Sequence, residues 1–180
     1  LTGYPPEDLV LKPAFMEKCE DAISELKLYS KGKKSTVILG TPYREDGKLF
    51  NTALVLRDGE IIEKHFKLAL PNYGVFDEKR IFSHGEKFTE IELKNFKIGL
   101  MVCEDIWIDK HMTDLSKNDL DLVVSINASP FDVNKISERE SKAVDFSSNV
   151  GAPLVYVNQV GGQDEIVFDG NSFIASTGKI

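Results

Sequence analysis

Covalent chemistry in this chain points to one short stretch, Lys97 to Trp107, which reads KIGLMVCEDIW. An apolar run from Ile98 to Val102 ends on Cys103 and passes at once into Glu104 and Asp105. Asp105 is placed to cap a helix that follows, which sets the thiol near a helix start, where the dipole favours thiolate. A thiolate in that position would be a candidate nucleophile. The plainer reading is that free cysteine, among the most buried residue types, simply ends a core strand. Cys19 gives the contrast, because it falls on the apolar stripe of a helix and reads as structural. A thiol nucleophile needs a proton acceptor, most often histidine. His65 in a strand, His84 in a long loop and His111 beyond Cys103 are the three available. None stands in a local signature, so a papain-like Cys–His pairing is neither supported nor excluded. Lys67, at a strand end, reads by position alone as a solvated lysine, and Lys67→Met, which keeps much of the side-chain length, is expected to leave folding nearly intact.

Other chemistries find less support. Val160 to Glu165, VGGQDE, lacks the glycine spacing and the following helix of a dinucleotide fingerprint, and no Walker-type loop appears. Cys103, Glu104 and Asp105 have no second ligand pair at metal-binding spacing, so no metal is expected. A net charge of -7 sets aside a nucleic-acid backbone as main partner. No stretch approaches the roughly 20 apolar residues of a membrane span, and no cationic start leads into an apolar run. Two cysteines make no disulfide framework, which points to the reducing cytoplasm.

The 180 residues, 42% hydrophobic and 28% charged, suit one ordinary globular domain. Thr2 to Pro6 is a turn-rich loop, and Glu7 to Lys12 begins a short helix. Phe15, Cys19, Ala22, Ile23 and Leu26 recur at threes and fours, one face of a helix from Pro13 to about Lys31. Ser35 to Tyr43 reads as a buried strand broken at Gly40 and Pro42. Two further strands meet at Arg57-Asp58-Gly59, a hairpin signal. Leu68 to Lys87 is irregular, but Tyr73, Phe76 and Phe82 argue that it is ordered and functional. Next come a strand at Thr89 to Leu93, the Cys103 strand, a helix of about Trp107 to Lys117, and a buried strand in LDLVVSINAS. A helix over Ile136 to Asn149, a strand in PLVYVNQVGG and a last pair of strands between Glu165 and Ala175 complete the pass. Strands alternating with helices, several continuously apolar, indicate an α/β domain with covered sheets. The chain opens on Leu1 and stops in SFIASTGKI with a strand and turn in progress, as a piece cut from a longer domain would.

Five blocks carry a resemblance along nearly the whole chain: LTGYPPEDL, KLALPNYGVFDEKRIF, GLMVCEDIW, NASPF and VYVNQVGGQDEIVFDGNSF. Together they resemble the nitrilase (carbon–nitrogen hydrolase) superfamily, and within it the glutaminase domains of glutamine-dependent NAD synthetases. The resemblance implies a nitrilase-like α-β-β-α sandwich, two central sheets covered by helices and truncated at both ends. Residues 1–180 would then form one incomplete glutaminase (amidase) domain. It implies a Glu–Lys–Cys triad in which Lys67 and Cys103 are the lysine and the cysteine. The general-base glutamate falls just before Leu1. The oxyanion donors implied are Lys67 and the Glu104 backbone, and the substrate-holding residues are Tyr4, Tyr73, Glu104 and Ser129. Arg139 is a candidate for the substrate carboxylate, against the alternative of a surface helix arginine. The stretch from Asn158 to Asp164 is assigned to site support, domain coupling or an ammonia tunnel. Glutamine is the implied substrate, a synthetase domain of the same parent chain the implied partner, and a homo-oligomer the implied assembly. No cofactor is expected for this domain, while ATP, Mg and deamido-NAD are expected for the synthetase domain. Two other readings remain, a stand-alone amidase acting on another carboxamide and a non-enzymatic binding module.

Overall fold

A computed structural model describes residues 1–180, and its strands fall in three sheets. The chain forms two compact units, Leu1–Lys87 and Phe88–Ile180.

In the first unit a 3-10 turn, Glu7–Leu11, leads into helix α1 (Pro13–Ser30), with Pro13 at the helix start where its missing N–H costs nothing. Strands β1 (Val37–Glu45), β2 (Lys48–Arg57) and β3 (Glu60–Phe66) form an antiparallel sheet in that order. Ile23 of α1 packs with Leu54 and Leu56 of β2, and Leu26 and Leu39 close the cluster. Both hairpins are two-residue Asp-Gly turns with left-handed backbones, at φ 51° and 74° for Asp46-Gly47 and 48° and 84° for Asp58-Gly59. That is the geometry whose twist matches the flanking strands. Only the second of these turns was expected. The break expected at Gly40 and Pro42 does not occur, for β1 runs through both and pairs Pro42 with Asn51. It lies at the sheet edge, where a residue without an N–H is tolerated. The irregular stretch after β3 contains one short helix, α2 (Glu78–Ile81). Phe82 pins it by packing with Val10 and Met16, and Leu70 and Ile81 border them.

The second unit holds β4 (Thr89–Leu93), β5 (Phe96–Val102), helix α3 (Asp109–Leu115), β6 (Leu122–Asn127), helix α4 (Lys135–Val150), β7 (Leu154–Asn158), β8 (Val160–Gln163), β9 (Ile166–Asp169) and β10 (Phe173–Ala175). Five strands share a sheet in the order β10-β7-β6-β5-β4, with β5, β6 and β7 parallel and the two edges antiparallel. Ala143, Phe146 and Val150 of α4 pack with Met101, Val123 and Leu154 of the parallel strands. A 3-10 turn, Cys103–Trp107, follows β5 directly, and Ile108 is extended before α3 begins. The helix expected from Trp107 is therefore shorter, and the turning starts at the cysteine itself. The last two strands do not pair with each other. β9 joins β8 in a separate ribbon, and β10 joins β7.

The parallel strands fix where chemistry can sit. Open α/β sheets bind ligands beyond the carboxyl ends of their strands. β5, β6 and β7 end in near register, with Val102 opposite Ile126 and Asn127 opposite Asn158. Cys103, Ala128-Ser129 and Gln159 are therefore delivered to one edge of the sheet.

Candidate active site

Cys103 is the first residue after β5 and has φ 48°, a left-handed backbone for a side chain that ordinarily avoids it. Such a conformation costs roughly 1–2 kcal/mol and persists only where the surroundings enforce it. Here Asp105, fully buried, accepts the Val102 N–H at 3.0 Å and closes the turn around the cysteine. Asp105 thus caps the turn that carries the thiol rather than a later helix. The result is a sharp strand-to-turn elbow with the thiol at its apex, the kind of presentation a nucleophile needs.

Ser129 meets Cys103 from the end of β6, its Oγ lying 3.7 Å from the sulfur. Its backbone is held on both sides, the N–H donating to Asn158 Oδ1 at 2.9 Å and the carbonyl accepting from Asn158 Nδ2 at 3.3 Å. Asn158 Nδ2 also donates to the Gly170 carbonyl at 2.8 Å, which ties the ribbon of β8 and β9 to the same corner. Within the stretch assigned to site support, Asn158 therefore supports Ser129. Arg139 is no surface arginine. It is buried, and its guanidinium donates to the Ser129 and Pro130 carbonyls and pairs with Asp169 at 3.3 Å. His111 places Nδ1 at 3.1 Å from the Asp105 carbonyl and packs edge-on against Phe88, so its contacts are structural. No group of three or more His, Cys, Asp or Glu is placed to hold a metal ion.

Lys67, Tyr4 and Tyr73 belong to the first unit. The lysine side chain is 1% exposed and its Nζ lies 2.7 Å from Glu78 Oε2, itself on a side chain 3% exposed. The solvated reading of Lys67 is therefore wrong, and so is the expectation that its charge can be removed without cost to folding. Glu78 also accepts from Asn51 Nδ2 at 2.6 Å, so each of its oxygens is occupied. The Lys67 backbone is equally fixed: its N–H donates to the Asn51 carbonyl at 2.9 Å, and its carbonyl accepts the Gly85 N–H at 2.8 Å. A side chain at Gly85 would sit 2.2 Å from the Phe66 carbonyl oxygen, so this close approach requires glycine. The Lys67 ammonium is 5.9 Å from the centre of the Tyr4 ring. Tyr4 and Tyr73 both pack against Phe76, with ring centres 6.0 and 5.5 Å apart, and Tyr73 is exposed. Of the remaining histidines, His65 is fully buried in β3, and His84 places Nδ1 3.0 Å from the Gly85 carbonyl. Glu78 is the residue that sequence reasoning missed. Its only signal is an Asp-Glu pair in a long loop, which reads like any solvated acid.

The two cysteines differ as their positions require. Cys19 is 5% exposed on the inner face of α1, and burial pushes its thiol pKa up. Cys103 is partly exposed. Brief treatment of the folded protein with dilute iodoacetamide at neutral pH is expected to label Cys103 at least about ten times faster than Cys19. Denaturation should bring the two rates together. Mass spectrometry of the two cysteine peptides measures both, and equal labelling in the folded state would make Cys103 an ordinary core thiol.

Residues 1–179 match the carbon–nitrogen hydrolase family. The glutamine-dependent NAD(+) synthetase of Acinetobacter baylyi is 40% identical over 173 residues, covering 96% of this chain and 31% of its own length. That of Aquifex aeolicus is 41% identical over 177 residues, covering 98% of this chain and 31% of its own. The chain thus spans about a third of the length of the relatives it matches. The structure of the glutamine-dependent NAD+ synthetase from Acinetobacter baumannii superposes with a TM-score of 0.91 at 38% identity, over 98% of this chain and 33% of that one. The nitrilase-type α/β fold expected from the five sequence blocks is therefore the fold this chain adopts. The match takes in all but the last residue of the sequence, and the chain belongs to the carbon–nitrogen hydrolase family.

Proposed function

We propose that this chain is the glutaminase domain of a glutamine-dependent NAD synthetase, releasing ammonia from glutamine for an ATP-dependent synthetase domain of the same polypeptide. The observation that carries the reading is the elbow at Cys103, a partly exposed thiol on a left-handed turn beyond a parallel sheet. The relatives that match almost all of the chain bear that enzyme's name and support the branch.

An amide carbonyl is a poor electrophile with a poor leaving group. In this reading Cys103 sulfur attacks the side-chain carboxamide carbon of glutamine, and a C–S bond forms as the carbonyl oxygen takes the negative charge. The Glu104 backbone N–H and the Lys67 ammonium hold that oxyanion, and losing one such donor typically costs about 10²–10³ in rate. The family glutamate that precedes the Leu1–Tyr4 block takes the thiol proton and returns it to the departing amine, general base and then general acid. Ammonia leaves, water attacks the thioester, and glutamate is released with the thiol restored. Tyr4, Tyr73, Glu104 and Ser129 hold the amino acid. ATP, magnesium and deamido-NAD belong to the synthetase domain, and the working enzyme is a cytoplasmic homo-oligomer.

The test uses the full-length protein with ATP, deamido-NAD and glutamine labelled with ¹⁵N in its amide, with no ammonium added. Label is expected in the carboxamide of the NAD formed, with one glutamate released per NAD. Failure to release glutamate from glutamine at all would turn the assignment towards an amidase acting on another carboxamide.

A further inference from the structure

We propose that Tyr156 is a positioning residue for the nucleophile, its hydroxyl fixing the Ser129 hydroxyl as a hydrogen-bond donor to the Cys103 sulfur. The inference rests on the reading of Cys103 as the nucleophile. The three residues stand on, or directly after, three neighbouring parallel strands, Tyr156 on β7, Ser129 beyond β6 and Cys103 beyond β5. Ser129 Oγ lies 2.8 Å from the Tyr156 hydroxyl and 3.7 Å from the Cys103 sulfur.

The direction of the protons follows from what each group has available. Tyr156 is 1% exposed and its ring stacks on Phe173 at 4.8 Å with an interplanar angle of 1°, so the phenol cannot turn to water. Ser129 Oγ is the one hydrogen-bond partner of that hydroxyl. A buried O–H without an acceptor is costly, so the phenol donates to Ser129. One pair of hydroxyls cannot donate to each other simultaneously. The Ser129 proton is therefore directed away from Tyr156, and within the protein the Cys103 sulfur is its acceptor. A donor to sulfur stabilises thiolate over thiol. Burial, with the Cys103 charge second, pushes the Tyr156 pKa well above the ordinary phenol value, so the relay keeps its proton at working pH. Arg139 and Asp169 are the other charges acting on Tyr156, opposed in sign, and Glu104 and Asp105 flank Cys103 in the chain.

The test measures the pH midpoint of Cys103 alkylation by iodoacetamide in the full-length protein, read on the Cys103 peptide by mass spectrometry. Tyr156→Phe keeps the ring and its stack on Phe173 and removes only the hydroxyl. Ser129→Ala is expected to raise the midpoint by about one pH unit, the scale of one hydrogen bond to a charged group. Tyr156→Phe alone should raise it by roughly half as much, and should add nothing in a Ser129→Ala background. An unmoved or lowered midpoint in Tyr156→Phe, or an equal shift in both backgrounds, overturns the relay. Alkylation needs no substrate, so glutamine hydrolysis by the same wild-type sample tests the glutaminase reading separately.

Discussion

Cys103→Ala in the full-length protein is expected to lower glutamine-driven NAD formation by at least about 10⁴-fold while ammonia-driven formation continues. Removing a covalent nucleophile leaves only what binding and oxyanion donors supply, and losses of that size or larger are usual. The split between the two nitrogen sources is what makes the result specific. A collapsed fold lowers both activities, whereas a missing thiol removes only the one that begins at Cys103. Folding has little to lose here, because alanine takes the φ 48° backbone no worse than cysteine does and the thiol is only partly buried. The assay compares initial rates with saturating glutamine and saturating ammonium at one pH. Glutamine-driven turnover that survives in the variant would remove Cys103 from the reaction, and the Glu–Lys–Cys assignment would go with it.

The parts of this site that were legible in the sequence are those fixed by local rules. A strand that ends in Cys-Glu-Asp announces its own end and an aspartate cap within three residues, although the Asp105 carboxylate accepts the Val102 N–H and closes the turn at Cys103 rather than starting the helix expected beyond it. Asp58-Gly59 announces its hairpin for the same reason, a turn type that favours those two residues at left-handed φ. Ser129 had no such signal and came from the resemblance alone, because what qualifies it is the register of β6 beside β5. The pairing of β10 with β7 rather than β9 is likewise a long-range choice, invisible in two short apolar runs. Lys67 and Glu78 are the clearest loss. They are 11 residues apart across a stretch with no helical or strand period, and nothing in KLALPNYGVFDEKR marks either as buried. Gly40 and Pro42 misled in the other direction, since their strand-breaking character matters less on a sheet edge.

Lys67→Met is expected to abolish amide hydrolysis, and burial of the pair makes its stability effect as informative as its rate. With the lysine gone, Glu78 is left as a carboxylate 3% exposed, keeping Asn51 as a donor but no counter-charge. Breaking a buried pair on one side typically costs about 3–5 kcal/mol, mostly the penalty of the stranded charge. Loss of activity in the single variant therefore cannot be read as loss of chemistry. The double variant Lys67→Met with Glu78→Gln removes both charges together and keeps an amide oxygen for Asn51 Nδ2. It is expected to recover most of the lost stability in denaturant unfolding, since neither residue then demands compensation for a buried charge. Hydrolysis should stay lost, by about 10³-fold or more, because the oxyanion donor is still missing. Glu78→Gln alone should fall between, with Lys67 present but without the carboxylate that fixes its ammonium. If the double variant regains hydrolysis together with stability, Lys67 serves the fold through Glu78 and the oxyanion must be held by backbone donors alone.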